Sequence, residues 1–282
     1  MVRAASVRTI FVNYLCIMQR SFTDQLGNTI QFNYPPKRII SLVPSQTELL
    51  FDLGLDKEVI GLTKFCIHPV GKFAERVKVG GTKKLNIELI RSLKPDLIIG
   101  NKEENTQAQI EELMVEFPVW MSDIYNLEDA KNTIAQIGGL VDRQPEAAYL
   151  NHLINAGFND LQTLALQQGI DKKVAYLIWK DPYMLAGRNT FIDDILTLNG
   201  LQNVIKQSRY PELELEALVD LKPDLIFLSS EPYPFKEKHL EEIRTLIPDA
   251  KVMLVDGEMF SWYGSRLVKA VQYLFQLQKE LL

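Results

Sequence analysis

The side chains able to do chemistry are few and far apart in the chain. Three histidines (His68, His152, His239) and two cysteines (Cys16, Cys66) show none of the close Cys/His spacing of a structural zinc site. Two cysteines so placed make no disulfide framework either. A zinc or manganese site in a cleft needs several histidines and carboxylates converging. His152 falls on a long helical stretch and His239 on what reads as a polar surface helix. Only His68, in Cys66-x-His68, stands near a strand end, where it is either a solvated loop residue or a cap on a metal-bearing ligand. Gly264-Ser265 lacks the Gly-x-Ser-x-Gly setting of a hydrolase nucleophile. Val79-Gly80-Gly81-Thr82-Lys83-Lys84 lacks the spacing of a phosphate loop, so its glycines read as a turn. The acidic pairs Asp193-Asp194 and Glu103-Glu104 read as a helix start and a solvated loop. No catalytic residue and no metal site is expected, and a binder fits these residues better than an enzyme.

Two sets of side chains remain. Phe65, Trp179, Tyr210, Trp262 and Tyr263 fall at strand ends or just before helices. Ligands of parallel sheets bind at the carboxyl ends of strands, and flat rings suit a large planar guest at little entropic cost. Taken singly, each ring reads as core; as a set across both halves they fit a pocket or a core, and both stay open. The second set is Glu88 and Glu216, each in the first turn of a helix, where the helix dipole alone favours a carboxylate.

The elements that position these residues follow one pattern. Arg38–Val43 is a mostly apolar run, read as a buried strand; Pro44-Ser45 breaks it, and Thr47–Leu53 forms a short helix closed by Gly54. Strands at 59–62, 97–99 and 119–121 alternate with helices at 88–93, 106–116 and 127–137. Such alternation predicts a mostly parallel sheet covered on both faces. Gln144–Gln168 is the longest helical stretch, with Ala147, Leu150, Ile154, Phe158, Leu161 and Leu164 on one stripe. At about 1.5 Å per residue it exceeds ~30 Å. The alternation then restarts, with strands at 174–179, 225–228 and 252–255 and helices at 191–198, 214–221, 236–245 and 265–281.

The two halves carry one shared segment. Glu88–Ile99 aligns without gaps on Glu216–Phe227, and Leu-Lys-Pro-Asp-Leu-Ile is identical in both. Each copy is a helix halted by proline, a tight turn and a buried strand. Two copies flanking a long helix predict two similar α/β lobes with parallel sheets. The expected division is 18–140 for the first lobe, 141–170 for the linker helix and 171–282 for the second lobe.

Bulk properties set outer limits. The 282 residues are 46% hydrophobic and 24% charged, enough for a sizeable core. A net charge of −5 argues against a nucleic acid or an anionic membrane as partner. Residues 1–17 open with Arg3 and Arg8 and a mostly apolar run interrupted by Asn13 and Tyr14. They read either as a poor signal segment or as the product of a start codon placed too early, with Met18 the true start.

From Ser21 onward the sequence resembles the helical-backbone substrate-binding proteins of ATP-driven importers for cobalamin, ferric siderophores and haem. The resemblance rests on Arg38-Ile-Ile-Ser-Leu-Val-Pro-Ser-Gln-Thr-Glu-Leu-Leu50 with Gly54-Leu55, on the paired Leu-Lys-Pro-Asp-Leu-Ile segments, and on Phe22–Asn28, which is similar to the hairpin that begins these proteins. Gly61–Pro69 and Val79–Thr82 look closest to the cobalamin-binding type. The resemblance implies two lobes joined by a single long rigid helix with a ligand cleft between them, and a corrinoid ligand, with a ferric siderophore or haem on the same scaffold as the alternative and an α/β enzyme a third. It implies ligand contacts at Phe65, Thr82, Trp179, Tyr210, Glu258 and Trp262. Three of these depart from the cobalamin pattern: Thr82 stands where a tryptophan is expected, and Glu258 and Trp262 where an aspartate and an arginine are. It further implies that Glu88 and Glu216 dock onto arginines of an ABC permease, which works with its ATPase. The protein would act as a monomer, in the periplasm or at the cell surface, with no cofactor of its own beyond the bound cobalamin or other metal chelate.

Overall fold

The structure, a computed structural model, describes residues 18–281; the question of a signal segment at residues 1–17, and Cys16 with it, lies outside them. β1 (Met18–Thr23) and β2 (Thr29–Tyr34) pair as an antiparallel hairpin. The first lobe then runs through β3 (Ile39–Ser41), α1 (Pro44–Asp52), β4 (Val59–Leu62), β5 (Val77–Lys78), β6 (Gly80–Gly81) and β7 (Lys84–Leu85). It continues with α2 (Ile87–Leu93), β8 (Leu97–Asn101), α3 (Gln107–Met114), β9 (Val119–Ser122) and α4 (Leu127–Leu140). Its sheet has the order β5-β4-β3-β8-β9 with every pairing parallel, and β6 and β7 form a separate small hairpin.

The long helix α5 (Gln144–Gln168) leads into the second lobe. There follow β10 (Lys172–Trp179), β11 (Met184–Leu185), α6 (Phe191–Leu198), β12 (Leu201–Asn203) and α7 (Leu215–Asp220). β13 (Leu225–Ser229), α8 (Glu237–Leu246), β14 (Lys251–Val255), α9 (Glu258–Ser261) and α10 (Leu267–Leu281) complete the chain. β10, β13 and β14 pair in parallel, while β12 and the antiparallel β11 pair with β10. The expected two-lobe α/β architecture with a long connecting helix is therefore present.

One local expectation is corrected. The first strand does end before Pro44, but the helix expected from Thr47 already begins at Pro44. Proline suits that position because its fixed φ is already helical and its missing N–H had no partner to lose.

The duplicated segment folds the same way twice. Lys94 and Lys222 both end their helix in the left-handed region, with φ of 45° and 47°, and the following proline forbids more helix. The aspartate after each proline then grips the start of a neighbouring strand. Asp96 accepts from the N–H groups of Lys37 (2.7 Å) and Arg38 (2.8 Å), and Asp224 from Lys173 (2.7 Å).

The core is continuous across the lobes. Ile39, Val59, Leu97 and Trp120 of the first lobe, Ile154, Phe158 and Leu161 of α5, and Val174, Phe227, Leu267 and Leu274 of the second belong to one buried cluster. Two further clusters cover the opposite faces of the two sheets. On α5 the buried stripe is Ala147, Ile154, Phe158, Leu161 and Ala165; Leu150 and Leu164 sit at its half-buried edge. Gly157 lets α10 approach closely, since a Cβ there would stand 2.8 Å from Val271 Cγ1.

Candidate functional site

Charged side chains from segments that follow strands pair across the two lobes. Glu48 on α1 and Arg266 at the start of α10 form a bidentate pair at 2.7 and 2.8 Å, with side chains 2% and 5% exposed. Two parallel N–H···O bonds offset much of the cost of taking both charges out of water. Lys269 reaches the same carboxylate at 3.2 Å. Arg266 also donates to Glu258 (2.6 Å), and Glu258 lies 3.2 Å from His68 Nε2 of the first lobe. Trp262 sits beside them, its ring under the Arg266 guanidinium (4.8 Å) and edge-on to His68 (5.6 Å).

A second crossing lies at the loop after β8. Arg209 of the second lobe pairs with Glu103 at 2.7 Å and lies over the rings of Tyr125 (5.3 Å) and Tyr210 (5.6 Å). Burial and the Glu103 carboxylate push the Tyr210 hydroxyl up. Next in the chain, burial and the Glu103 charge raise the Glu104 carboxyl, although the Lys83 charge opposes this. Glu103-Glu104 is thus no freely solvated loop: Glu103 is engaged across the cleft and Glu104 is half-buried.

Glu231, just after β13, completes the arrangement. Its Oε1 accepts from Trp262 Nε1 at 2.7 Å and from Ser261 Oγ at 2.9 Å. Burial raises its carboxyl to about 7, and the charges of Glu258 and Glu104 add to the shift. Tyr263, 8% exposed, has a hydroxyl without a hydrogen-bond partner among the described residues. Burial and the charges of Glu104 and Glu103 raise that hydroxyl well above its usual value, although the nearby Ser45 opposes this.

The expected site residues fall into separate groups. Glu258 and Trp262 meet in the cluster with His68 and Arg266. Tyr210 stands at the Glu103–Arg209 crossing. Phe65, 51% exposed, leans on the β6–β7 hairpin, where a Cβ on Gly81 would lie 3.1 Å from its ring. Thr82 in that hairpin is buried, and its carbonyl accepts from Asn105 Nδ2 at 3.1 Å. Trp179, 39% exposed, packs edge-on against Tyr233 (5.6 Å). Glu88 is exposed and paired with Arg91 one turn on; Glu216 is exposed in the first turn of α7.

His239 is not on a polar surface. It is buried, its Nδ1 accepts from the Lys236 N–H at 2.9 Å, and its ring packs on Tyr233 and Phe235. Cys66 is a buried free thiol between Thr47 and Thr63, and burial pushes its pKa up. No group of three His, Cys, Asp or Glu side chains among the described residues could hold a metal ion.

Sequence reasoning passed over Glu48, Arg266 and Glu231. Glu48 and Arg266 carry no local signal, since each is neutralised by a residue 218 positions away. Glu231 did carry one. It stands 128 positions after Glu103, the same offset that separates Glu216 from Glu88, so the repeat extends past the strands into the cleft loops.

A family model described as periplasmic binding protein matches residues 39–248. An ABC transporter substrate-binding lipoprotein of Bacillus subtilis, itself uncharacterized, is 26% identical over 266 residues, covering 89% of this chain and 82% of that one. A vitamin B12-binding protein of Vibrio parahaemolyticus is 26% identical over 224 residues, covering 77% of this chain and 78% of its own. Among solved structures, the periplasmic vitamin B12 binding protein of Vibrio cholerae superposes with a TM-score of 0.75 at 21% identity, covering 87% of this chain and 98% of that one. A periplasmic heme-binding protein from Roseiflexus sp. RS-1 does so with a TM-score of 0.72 at 21% identity, covering 86% and 98%.

Proposed function

The chain belongs to the periplasmic binding protein family, and from that premise we propose that it is the substrate-binding component of an ABC importer, capturing a corrinoid between its lobes and delivering it to the permease. The observation that carries the ligand class is the pair of large rings left open at strand ends, Phe65 in the first lobe and Trp179 in the second, 51% and 39% exposed. An exposed ring costs hydration free energy in the free protein and regains it against a flat apolar guest. Thr82, Tyr210, Glu258 and Trp262 would complete the contacts, with polar atoms that fix the guest's orientation. The proposed lobes are residues 18–140 and 171–282, with 141–170 as the linker. The protein works as a monomer outside the cytoplasmic membrane, needs no cofactor and catalyses no reaction.

Titration with cyanocobalamin tests this directly. Of the three tryptophans, Trp120 is sealed in the core, so quenching reports on Trp179 and Trp262. Saturable quenching at sub-micromolar ligand, weakened by Trp179→Ala, is the expected result. Silence toward every corrinoid would overturn the corrinoid assignment. A ferric siderophore or haem is the second reading, because a heme-binding protein shares this fold as closely as a B12-binding one.

Glu88 and Glu216 are proposed to meet basic side chains of the permease. α2 and α7 each end at the amino end of the strand that follows, which supports a reading in which their first turns, with Glu88 and Glu216, lie on the side of the strands' carboxyl ends. Exposed carboxylates on two lobes can align a two-fold partner through charge-assisted hydrogen bonds. The double change Glu88→Ala, Glu216→Ala should leave ligand affinity intact and abolish uptake in cells; uptake at the wild-type rate would show that docking lies elsewhere.

A further inference from the structure

We infer that the interlobe cleft selects chelates whose rim offers hydrogen-bond donors or positive charge and rejects chelates whose rim carries carboxylates, through Glu104 and the repeat-related pair Glu103 and Glu231. This rests on the metal-chelate reading above and narrows it to a ligand class.

The repeat supplies the first observation. Glu103 and Glu231 follow the last residues of equivalent strands, Asn101 of β8 and Ser229 of β13. Each is set by the same device. Asn101 Oδ1 accepts from the Glu103 N–H (2.9 Å) and the Glu104 N–H (3.0 Å), and Ser229 Oγ accepts from the Glu231 N–H (3.4 Å). The turn after each strand therefore carries a glutamate at the same place: Glu103 reaches Arg209 of the other lobe, and Glu231 reaches Ser261 and Trp262 of its own.

The second observation is how the cleft's cations are already used. Arg266 is shared between Glu48 and Glu258, Lys269 lies on Glu48, and Arg209 is taken by Glu103. The Lys83 ammonium is held on the Glu103 carbonyl. Among the described residues Glu104 and Glu231 make no ion pair. Glu231 accepts two neutral donors on Oε1, and its Oε2 accepts none.

The third observation is the buried Tyr263 hydroxyl, which has no hydrogen-bond partner within distance among the described residues, lies near Ser45 and feels the charges of Glu103 and Glu104. A phenol in that setting has a proton or a lone pair to give to a guest.

Closing two lobes on a guest removes water, and above pH 7, where Glu231 is charged, a ligand carboxylate would face like charge across a low-dielectric gap. A primary amide or an ammonium at the same place would donate to the protein's carboxylates. Acceptors left unpaired on burial add to the discrimination, because each loses its water without replacement.

Matched ligand pairs test the rule without prejudging the chelate. Isothermal titration at pH 8, where Glu231 is charged, would compare cyanocobalamin with its monocarboxylic acid, iron protoporphyrin with its dimethyl ester, and ferrioxamine with ferric citrate. In every pair that binds, the uncharged or cationic member should bind at least about tenfold more tightly, the scale of one like-charge contact. In the variant Glu104→Gln, Glu231→Gln the gap should shrink to about threefold or less. Equal affinities within a pair, a preference for the carboxylate, or a gap that survives in the folded double variant would each overturn the inference. Should that variant fail to fold, the wild-type comparison decides alone. Failure of all six compounds to bind would instead sink the metal-chelate reading, and the inference with it.

Discussion

Glu231 is a carboxyl held near 7 where an ordinary glutamate sits at 4.5, chiefly because burial disfavours its charged form. The sign of the consequence follows from linkage. Between those two values the folded chain binds more protons than the unfolded one, so stability falls as pH rises through this window. Glu231→Gln should remove that slope while keeping an oxygen for Trp262 Nε1 and Ser261 Oγ. Melting temperatures of the two proteins should converge near pH 5 and separate near pH 8, with the variant more stable by roughly 1–3 kcal/mol. Parallel pH profiles would show that Glu231 is no more strained than a surface carboxylate. None of this was legible from Glu-Pro-Tyr-Pro as a string, because a carboxyl's pKa depends on what surrounds it. The matching position of Glu103 was legible, for the repeat marks it.

At the scale of elements, the duplicated Leu-Lys-Pro-Asp-Leu-Ile unit is a clamp as well as a turn. Asp96 holds two backbone N–H groups and Asp224 holds one. Asp96→Ala should therefore cost more than Asp224→Ala, about 2 kcal/mol against about 1 in urea denaturation, as hydrogen bonds to charged groups generally do. Equal losses would mean the second bond of Asp96 contributes nothing. Helices and strands were legible throughout because their apolar spacing is a local property. Leu150 and Leu164 show the limit: both fit the α5 stripe by spacing, yet they end at its half-buried edge while Ala165 is buried. Which atoms of a helix face are covered depends on the neighbour, here α10 closing over Gly157. The short strands β5, β6, β7, β11 and β12 were not legible, since two or three residues carry no period.

At the scale of the whole molecule, one hydrophobic cluster links both sheets to α5 and α10. Lobes sharing a core cannot unfold independently. Differential scanning calorimetry should show one transition with matching calorimetric and van't Hoff enthalpies. Two resolved transitions would mean that the cluster is weaker than its continuity implies.

Sequence by itself determined the alternation of strands and helices, the duplication, the long α5 and the absence of hydrolase and phosphate-loop signatures. All of these are written in neighbouring residues, as apolar period, proline stops and fixed motif spacings. Tertiary structure alone decided which charges are buried and whom they face. Glu48, Arg266, Glu231 and His239 look like surface residues in the chain because their partners lie on other elements, 218 positions away for Glu48 and Arg266. A buried charge is tolerable only beside its counter-charge or its hydrogen-bond donors. No local pattern encodes that meeting; it arises when the two lobes come together.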